Sequence, residues 1–425
     1  MQAIPFIYFS LLVVFLYRKR KKIDLSIYIM LLYAVTGFFS IFVRGIPTYS
    51  ISLVSAISYC FLHTLCIFPI IKFADYRVFE IGKVKNEKLL KIIAWLAFIS
   101  FLAYFAGTIS TVVDILSGDL RALRNTLYEE GSTGYGGFSN YPIVVRVFFL
   151  VTAYLFGCGW VFIFLAFYSL LIQKLPKIYF FLFIIASLSS LWKGIMNIDR
   201  SAAAMYVISF MGTVIYFWPY MEKKIKSRVS LVTGLLLGVI FIYLFVISFA
   251  RFGGVDSNDS SAVEDSFVQY IGQNYYYFCY FFDTFDNPYK MSNLLFPFIN
   301  HFIFRDEVLG GFRINEFFEN KLGMETGYFY TYLGQIQLTA GHLVAILFAI
   351  LLCLISYSVL NRKIYRRVRI SGMTSFLYVF FASFSMLGVF YYYYQQQTIT
   401  SSVVFFLIMF RLMGPSKVYV KKSKI

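Results

Sequence analysis

The chain has 425 residues, 60% hydrophobic and only 14% charged, with a mean hydropathy of +0.72. A soluble domain carries roughly a quarter charged residues, and apolar runs here reach the about 20 residues that cross a bilayer core, so composition excludes a soluble globular enzyme. The net charge of +17 does not point to nucleic acid, because the basic residues sit in short clusters between apolar runs, the pattern of cytoplasmic loops.

The pattern predicts an all-α polytopic membrane protein rather than a barrel, whose strands would be short and alternating. Eleven spans are expected, at about 3–17, 23–43, 50–71, 92–113, 146–172, 178–192, 201–220, 229–250, 327–360, 372–390 and 399–414. The first run is followed by charge, Arg18 to Lys22, rather than preceded by it. That order predicts an uncleaved segment with an outside N-terminus. Basic clusters at 18–22, 72–91, 174–177, 223–228, 362–369 and 411–424 hold 27 of the 38 Lys and Arg. Threading the spans puts all six on one side, with the C-terminus inside.

Two segments need a decision. One helix over 178–220 would be about 65 Å long and would carry Lys193, Asp199 and Arg200 mid-helix. Each such charge costs roughly 2.5–3.5 kcal/mol at the bilayer centre, so two helices with a turn at 192–200 are expected. The span at 327–360 is also too long, and it is expected to tilt, project or break near Gly334 or Gly341.

The organisation that follows is N-terminal spans over 1–113, a first outer loop over 114–145 and central spans over 146–250. A large outer loop over 251–326 and C-terminal spans with a cytoplasmic tail over 327–425 complete it. The inner side carries a balance of +22 and the outer side −5. Lys inside is what topology requires. Eight outer arginines in an acidic setting are not: Arg44, Arg121, Arg124, Arg146, Arg200, Arg251, Arg305 and Arg313. The guanidinium fork suits phosphate oxygens; the plainer reading of each is snorkelling or pairing with a nearby acid.

The first outer loop holds four glycines between Gly131 and Gly137, either a plain flexible segment or a lid over a groove. It is not a P-loop, since no GK[ST] follows. In the second, Phe267, Tyr270, Ile271, Tyr275, Phe278 and Phe282 recur at helical spacing. They predict an amphipathic helix suited to the membrane interface, read first as a packing or anchoring helix, with Tyr275 to Tyr277 as carbohydrate contacts in the alternative reading. Arg313, Glu316 and Phe317 share one helical face, and His301 stands one turn from Arg305. Glu316 is either a partner for Arg313 or a base. The three His lack metal-ligand spacing, and no metal, cofactor or nucleotide motif is found. Of the five Cys, four lie in apolar segments and Cys279 in an outer loop, giving no disulfide framework.

Three local stretches carry a resemblance. They are Asn197-Ile198-Asp199-Arg200-Ser201 opening an apolar helix, Ala250-Arg251-Phe252-Gly253-Gly254 closing one, and Thr326-Gly327-Tyr328-Phe329-Tyr330-Thr331 entering the long span. With the span number, the two outer loops and the outer arginines, the chain resembles the O-antigen polymerases (the Wzy type) among the oligosaccharide repeat-unit polymerases. It departs from their arginine–glycine spacing, since Gly212 follows Arg200 one residue late.

The resemblance implies a GT-C-like fold and a glycosyltransferase at the periplasmic face of a bacterial inner membrane. The implied substrates are oligosaccharide repeat units on undecaprenyl pyrophosphate, with no cofactor. A chain-length regulator and a flippase are the further partners it implies. Arg200, Arg251, Arg313 and Arg305 would hold pyrophosphate, and Glu316, Asp199 or Glu325 would take the acceptor proton. The alternatives are an O-antigen ligase or another lipid-linked glycosyl or acyl transferase. A flippase or other transporter is the non-enzyme reading, disfavoured by the lack of a residue-level repeat.

Overall fold

The structure, a computed structural model, describes residues 1–43, 50–76, 78–117, 142–196, 200–252, 260–284, 320, 330–361 and 368–414. The first half builds α1 (Ile4–Arg20), α2 (Leu25–Ser40), α3 (Leu53–Ala74), β1 (Val78–Ile81), α4 (Glu87–Ser117), α5 (Ile143–Tyr154), α6 (Gly159–Phe167), α7 (Lys177–Ser187) and α8 (Ser189–Met196). The second half builds α9 (Arg200–Phe217), α10 (Lys223–Phe252), α11 (Ser260–Thr284), α12 (Tyr332–Ala340), α13 (His342–Asn361), β2 (Val368–Ile370), α14 (Gly372–Leu387) and α15 (Gln397–Met413).

The helices start where short polar side chains replace the missing backbone acceptors. Asp24 accepts from the N–H groups of Ser26 and Ile27 ahead of α2. Ser52, Thr331 and Ser371 cap α3, α12 and α14 in the same way. Apolar runs then continue as helix because in lipid each backbone group must be satisfied within its own segment.

Among the described residues, five helical stretches are long and apolar enough to cross a membrane: Leu53–Ala74, Glu87–Ser110, Lys177–Met196, Ser201–Tyr220 and His342–Asn361. The α5–α6 pair makes a sixth if counted as one bent span. Leu25–Ser40, Gly372–Leu387 and Gln397–Met413 are apolar but shorter. The chain is thus a helical protein of membrane character.

Described parts of several basic clusters meet at one end of the bundle. Lys19 and Arg20 bond Asp75, and β1 pairs in parallel with β2, Ile81 opposite Ile370. Tyr168 donates to the Gly82 carbonyl at 2.8 Å. Lys85 and Asn86 donate their N–H groups to Gly414 and Met413, each at 3.0 Å. This two-stranded pair corrects the purely helical expectation: two polar connections too short for helices satisfy their backbone on each other.

The core is aromatic. One column runs Phe9, Tyr33, Tyr59, Tyr275 and Phe278, with centroids 4.9 to 6.3 Å apart. A second joins Trp160, Phe164, Phe376 and Phe410. Such contacts add stability beyond the area they bury.

The expected break in 178–220 is present: α8 ends at Met196 and α9 begins at Arg200. The long C-terminal span breaks at Gly341, whose φ of 89° suits glycine. Three expectations are corrected. The 146–172 span is not straight, because α5 and α6 meet at 74°. Arg251 and Phe252 belong to α10 rather than to a loop. The aromatic helix α11 does not lie on a membrane surface. Asn274, Tyr275, Phe278, Cys279 and Phe281 are fully buried, and Gly272 presses on the backbone of Phe39 and Ser40. Tyr275, Tyr276 and Tyr277 are therefore core residues, as the packing reading of this helix has it, rather than exposed carbohydrate contacts, and Cys279 is buried.

Candidate functional site

The end opposite the basic clusters is marked by Thr108, which lies about 30 Å along α4 from Lys88 at 1.5 Å per residue. There α4, α5, α8 and the start of α15 come together and form a niche carrying several polar side chains. In α5, Arg146, Phe149 and Ala153 are spaced three and four apart and share a face. Phe149 and Ala153 are buried against Phe101 and Tyr104. Gly107 lets the two helices approach, since a Cβ there would sit 2.4 Å from a Val145 methyl. The Arg146 side chain is therefore held half-buried, and its Nε has no protein hydrogen-bond partner.

On α8, Trp192 stacks beside Phe105 at 4.4 Å and donates its Nε1–H to Thr108 Oγ1 at 2.8 Å. The next residue, half-buried Lys193, donates to Thr398 Oγ1 at 3.4 Å. Beside Thr398, Gln397 opens α15 with its Nε2 buried and unmatched. Unsatisfied buried donors cost about 1–3 kcal/mol each, and here the donors of Arg146 and Gln397 lie at the same end as a Lys. The arrangement suits an anion with several acceptor oxygens.

The niche rests on the broken span. Ser401 donates to the Tyr154 carbonyl at 2.9 Å and Ser402 to that of Leu155 at 3.0 Å. The Cys158 N–H returns to Ser402 Oγ at 3.2 Å. Irregular backbone at membrane depth is tolerated only where protein or a cavity satisfies it, and α15 supplies those partners.

A polar seam ties this niche to α11. Asn274 donates to the Val389 carbonyl at 2.6 Å. Gln335 of α12 accepts from the Tyr392 N–H at 2.7 Å, and the Tyr332 N–H bonds Gly388 at 2.8 Å. Gln337 and His342 pair across the Gly341 break at 2.8 Å. The segment from Gly388 to Gln396 thus runs from the seam to Gln397 and Thr398. Farther along α11, Asp283 accepts from the Ser52 N–H and from the hydroxyls of Ser52 and Ser55. Burial raises its pKa, against the smaller opposing effects of the Ser52 N–H and the His342 charge.

Of the residues chosen from sequence, Arg200 opens α9, four positions after Met196 closes α8, and Arg251 lies in the last turn of α10. Their side chains lie outside the described residues, as do Asp199, Arg305, Arg313, Glu316 and Glu325, and His301, Phe317 and the Gly131–Gly137 stretch. The sequence reading named Arg146 among the outer arginines but did not rank it for the site. Lys193, Gln397, Thr398 and Asn274 were missed. The three consecutive Gln at 395–397, directly ahead of an apolar helix, were the available signal.

Comparison with protein-family models, with curated proteins and with solved structures gives no match to this chain.

Proposed function

We propose that the chain is a glycosyltransferase that polymerises oligosaccharide repeat units carried on undecaprenyl pyrophosphate, at the periplasmic face of a bacterial inner membrane. In this reading it has eleven spans, an outside N-terminus, an inside C-terminus and a GT-C-like fold. The observation that carries it is the contrast between the two ends. Lys19 and Arg20, bonded to Asp75, and Lys85, bonded to Gly414, stand at one, and half-buried Arg146 and Lys193 stand at the other with the α9 start that carries Arg200. Positive charge at the cytoplasmic end follows from topology alone. The buried, unmatched Nε of Arg146 at the opposite end costs energy, and an anionic headgroup offsets that cost.

The chemistry is glycosyl transfer. A hydroxyl of the acceptor repeat unit attacks the anomeric carbon of the donor glycan, whose bond to the pyrophosphate oxygen breaks. The proton passes to a carboxylate, for which Glu316, Asp199 and Glu325 are the candidates. Arg146 and Lys193, with Arg200, Arg251, Arg305 and Arg313, stabilise the charge that develops on the departing undecaprenyl pyrophosphate. The seam from α11 through Asn274 to Thr398 makes the large polar stretch part of the same device.

The cellular test is deletion of the gene in its host, followed by electrophoresis of the surface polysaccharide. The proposal expects lipid A core capped by a single repeat unit. Bare core would point instead to a ligase.

A further inference from the structure

At the basic end, an open surface depression is lined by Lys85, Asn86, Glu87, Lys88 and Lys91. Glu87 bonds Lys91 at 2.5 Å, so three lysines share the depression with one carboxylate and it keeps a net positive charge. It is pinned to the end of α15 by the bonds from Lys85 and Asn86 to Gly414 and Met413.

From Lys88 an apolar stripe runs down α4. Ile92, Trp95, Leu96, Ile99 and Leu102 are 42 to 53% exposed. They follow Lys88 by four, seven, eight, eleven and fourteen residues, which is one face of a helix. The opposite face, with Leu90, Ile93, Ala94, Ala97 and Phe101, is buried. A lysine-lined depression at the head of an exposed apolar stripe matches the chemistry of a phospholipid: a phosphate above and an acyl chain below.

We propose that this feature is a binding site for one anionic glycerophospholipid of the cytoplasmic leaflet. Its headgroup phosphate lies among Lys85, Lys88 and Lys91, and an acyl chain lies along Ile92, Trp95, Leu96 and Ile99. Clustered Lys beside a helix recognise anionic headgroups. The site is independent of the glycosyl-transfer reading, since it lies at the other end of the bundle.

Trp95 is a reporter inside the stripe, about 10 Å along the helix from Lys88. The full chain with W192F and W218F leaves Trp95 and fully buried Trp160. It is reconstituted into phosphatidylcholine vesicles with a small fraction of lipid brominated on its acyl chains. Brominated phosphatidylglycerol should quench Trp95 at about fivefold lower mole fraction than brominated phosphatidylcholine. K85Q/K88Q/K91Q should erase that preference, K88Q alone should reduce it if the triple variant fails to insert, and K223Q/K224Q should leave it intact. Equal quenching by the two lipids would overturn the proposal. So would a preference that survives the lysine changes, that is weakened as much at Lys223 and Lys224, or that millimolar inorganic phosphate abolishes.

Discussion

The side-chain amide of Asn274 donates to the carbonyl of Val389 at 2.6 Å, joining a helix of the long polar stretch to the segment that ends at Thr398, the partner of Lys193. Asn274 is fully buried, so Asn274→Leu removes the donor and leaves the carbonyl unmatched. A loss of about 1–3 kcal/mol is expected, read as a lower Tm in detergent, together with shorter glycan chains. Wild-type chain lengths in a destabilised variant would separate the seam from the site.

Arg146 tests the niche directly. Arg146→Ala removes a buried Nε donor that has no protein partner, so the variant should be no less stable than wild type. Affinity for polyprenyl pyrophosphate should fall about tenfold or more, since a charge-assisted bond is worth roughly 1.5–3 kcal/mol. Lys193→Ala should act in the same direction, and Arg146→Lys should restore part of the affinity but not the two-pronged geometry. Microscale binding with the variant beside wild type decides it; equal affinities would remove Arg146 from the site.

At the other end Arg20 is structural. Its side chain is 5% exposed and bonds Asp24, Ser26, Asp75 and the Ile71 carbonyl, tying α1 and α2 to α3. Arg20→Ala should cost about 3–5 kcal/mol, the usual result of breaking a buried pair from one side. Thermal unfolding of purified protein checks this, with exposed Lys22→Ala as the control that should stay near wild type.

Two carboxylates respond to pH in opposite senses. For Asp75, burial raises the pKa, but the hydrogen bonds and charges of Lys19 and Arg20 together outweigh it and hold the carboxyl below its ordinary 3.8. Its contribution to stability is present above 3.8 and is lost as pH falls through the depressed folded value. For Asp283 the folded pKa is raised, so its contribution is present below 3.8 and is lost as pH rises through the folded value. Tm against pH for Asp75→Asn should lie closer to wild type in acid than at neutral pH, and for Asp283→Asn the gap should vary with the opposite sign. Parallel curves for both variants would contradict these environments.

Glycine substitutions test how α11 is seated. A Cβ at Gly272 would lie 2.6 Å from the Phe39 carbonyl carbon, so Gly272→Ala must push α11 off α2 and should cost about 1–3 kcal/mol. Gly234 and Gly238 of α10 meet nothing within 4 Å. Alanine there should be neutral or stabilise by up to about 1 kcal/mol. Tm values for the three variants check the contrast.

These residues also show what the sequence could and could not convey. Charge clusters separated by apolar runs marked the protein as a bundle of apolar helices, and Arg20 and Lys85 do lie at one end of it, because lipid disfavours charge elsewhere. The same reasoning located the break before Arg200. It failed at α11, where Tyr275 and Phe278 have the spacing of a helix face. Periodicity identifies a face but not whether lipid headgroups or Tyr59 and His63 will cover it. It also failed at the bend between Tyr154 and Gly159, which has no proline and few polar residues to announce it. That bend is held by Ser401 and Ser402, almost 250 residues away. Arg146 was visible only as one of eight outer arginines; its burial depends on Gly107 and Phe149, which no local pattern connects.

The most direct measurement uses the purified full chain in detergent with a synthetic polyprenyl-pyrophosphate repeat unit, without nucleotide or added metal, followed by gel. The account predicts a ladder of oligomers, shortened or lost with Arg146→Ala and Arg200→Ala. A folded protein given its cognate repeat unit that yields no ladder would contradict it.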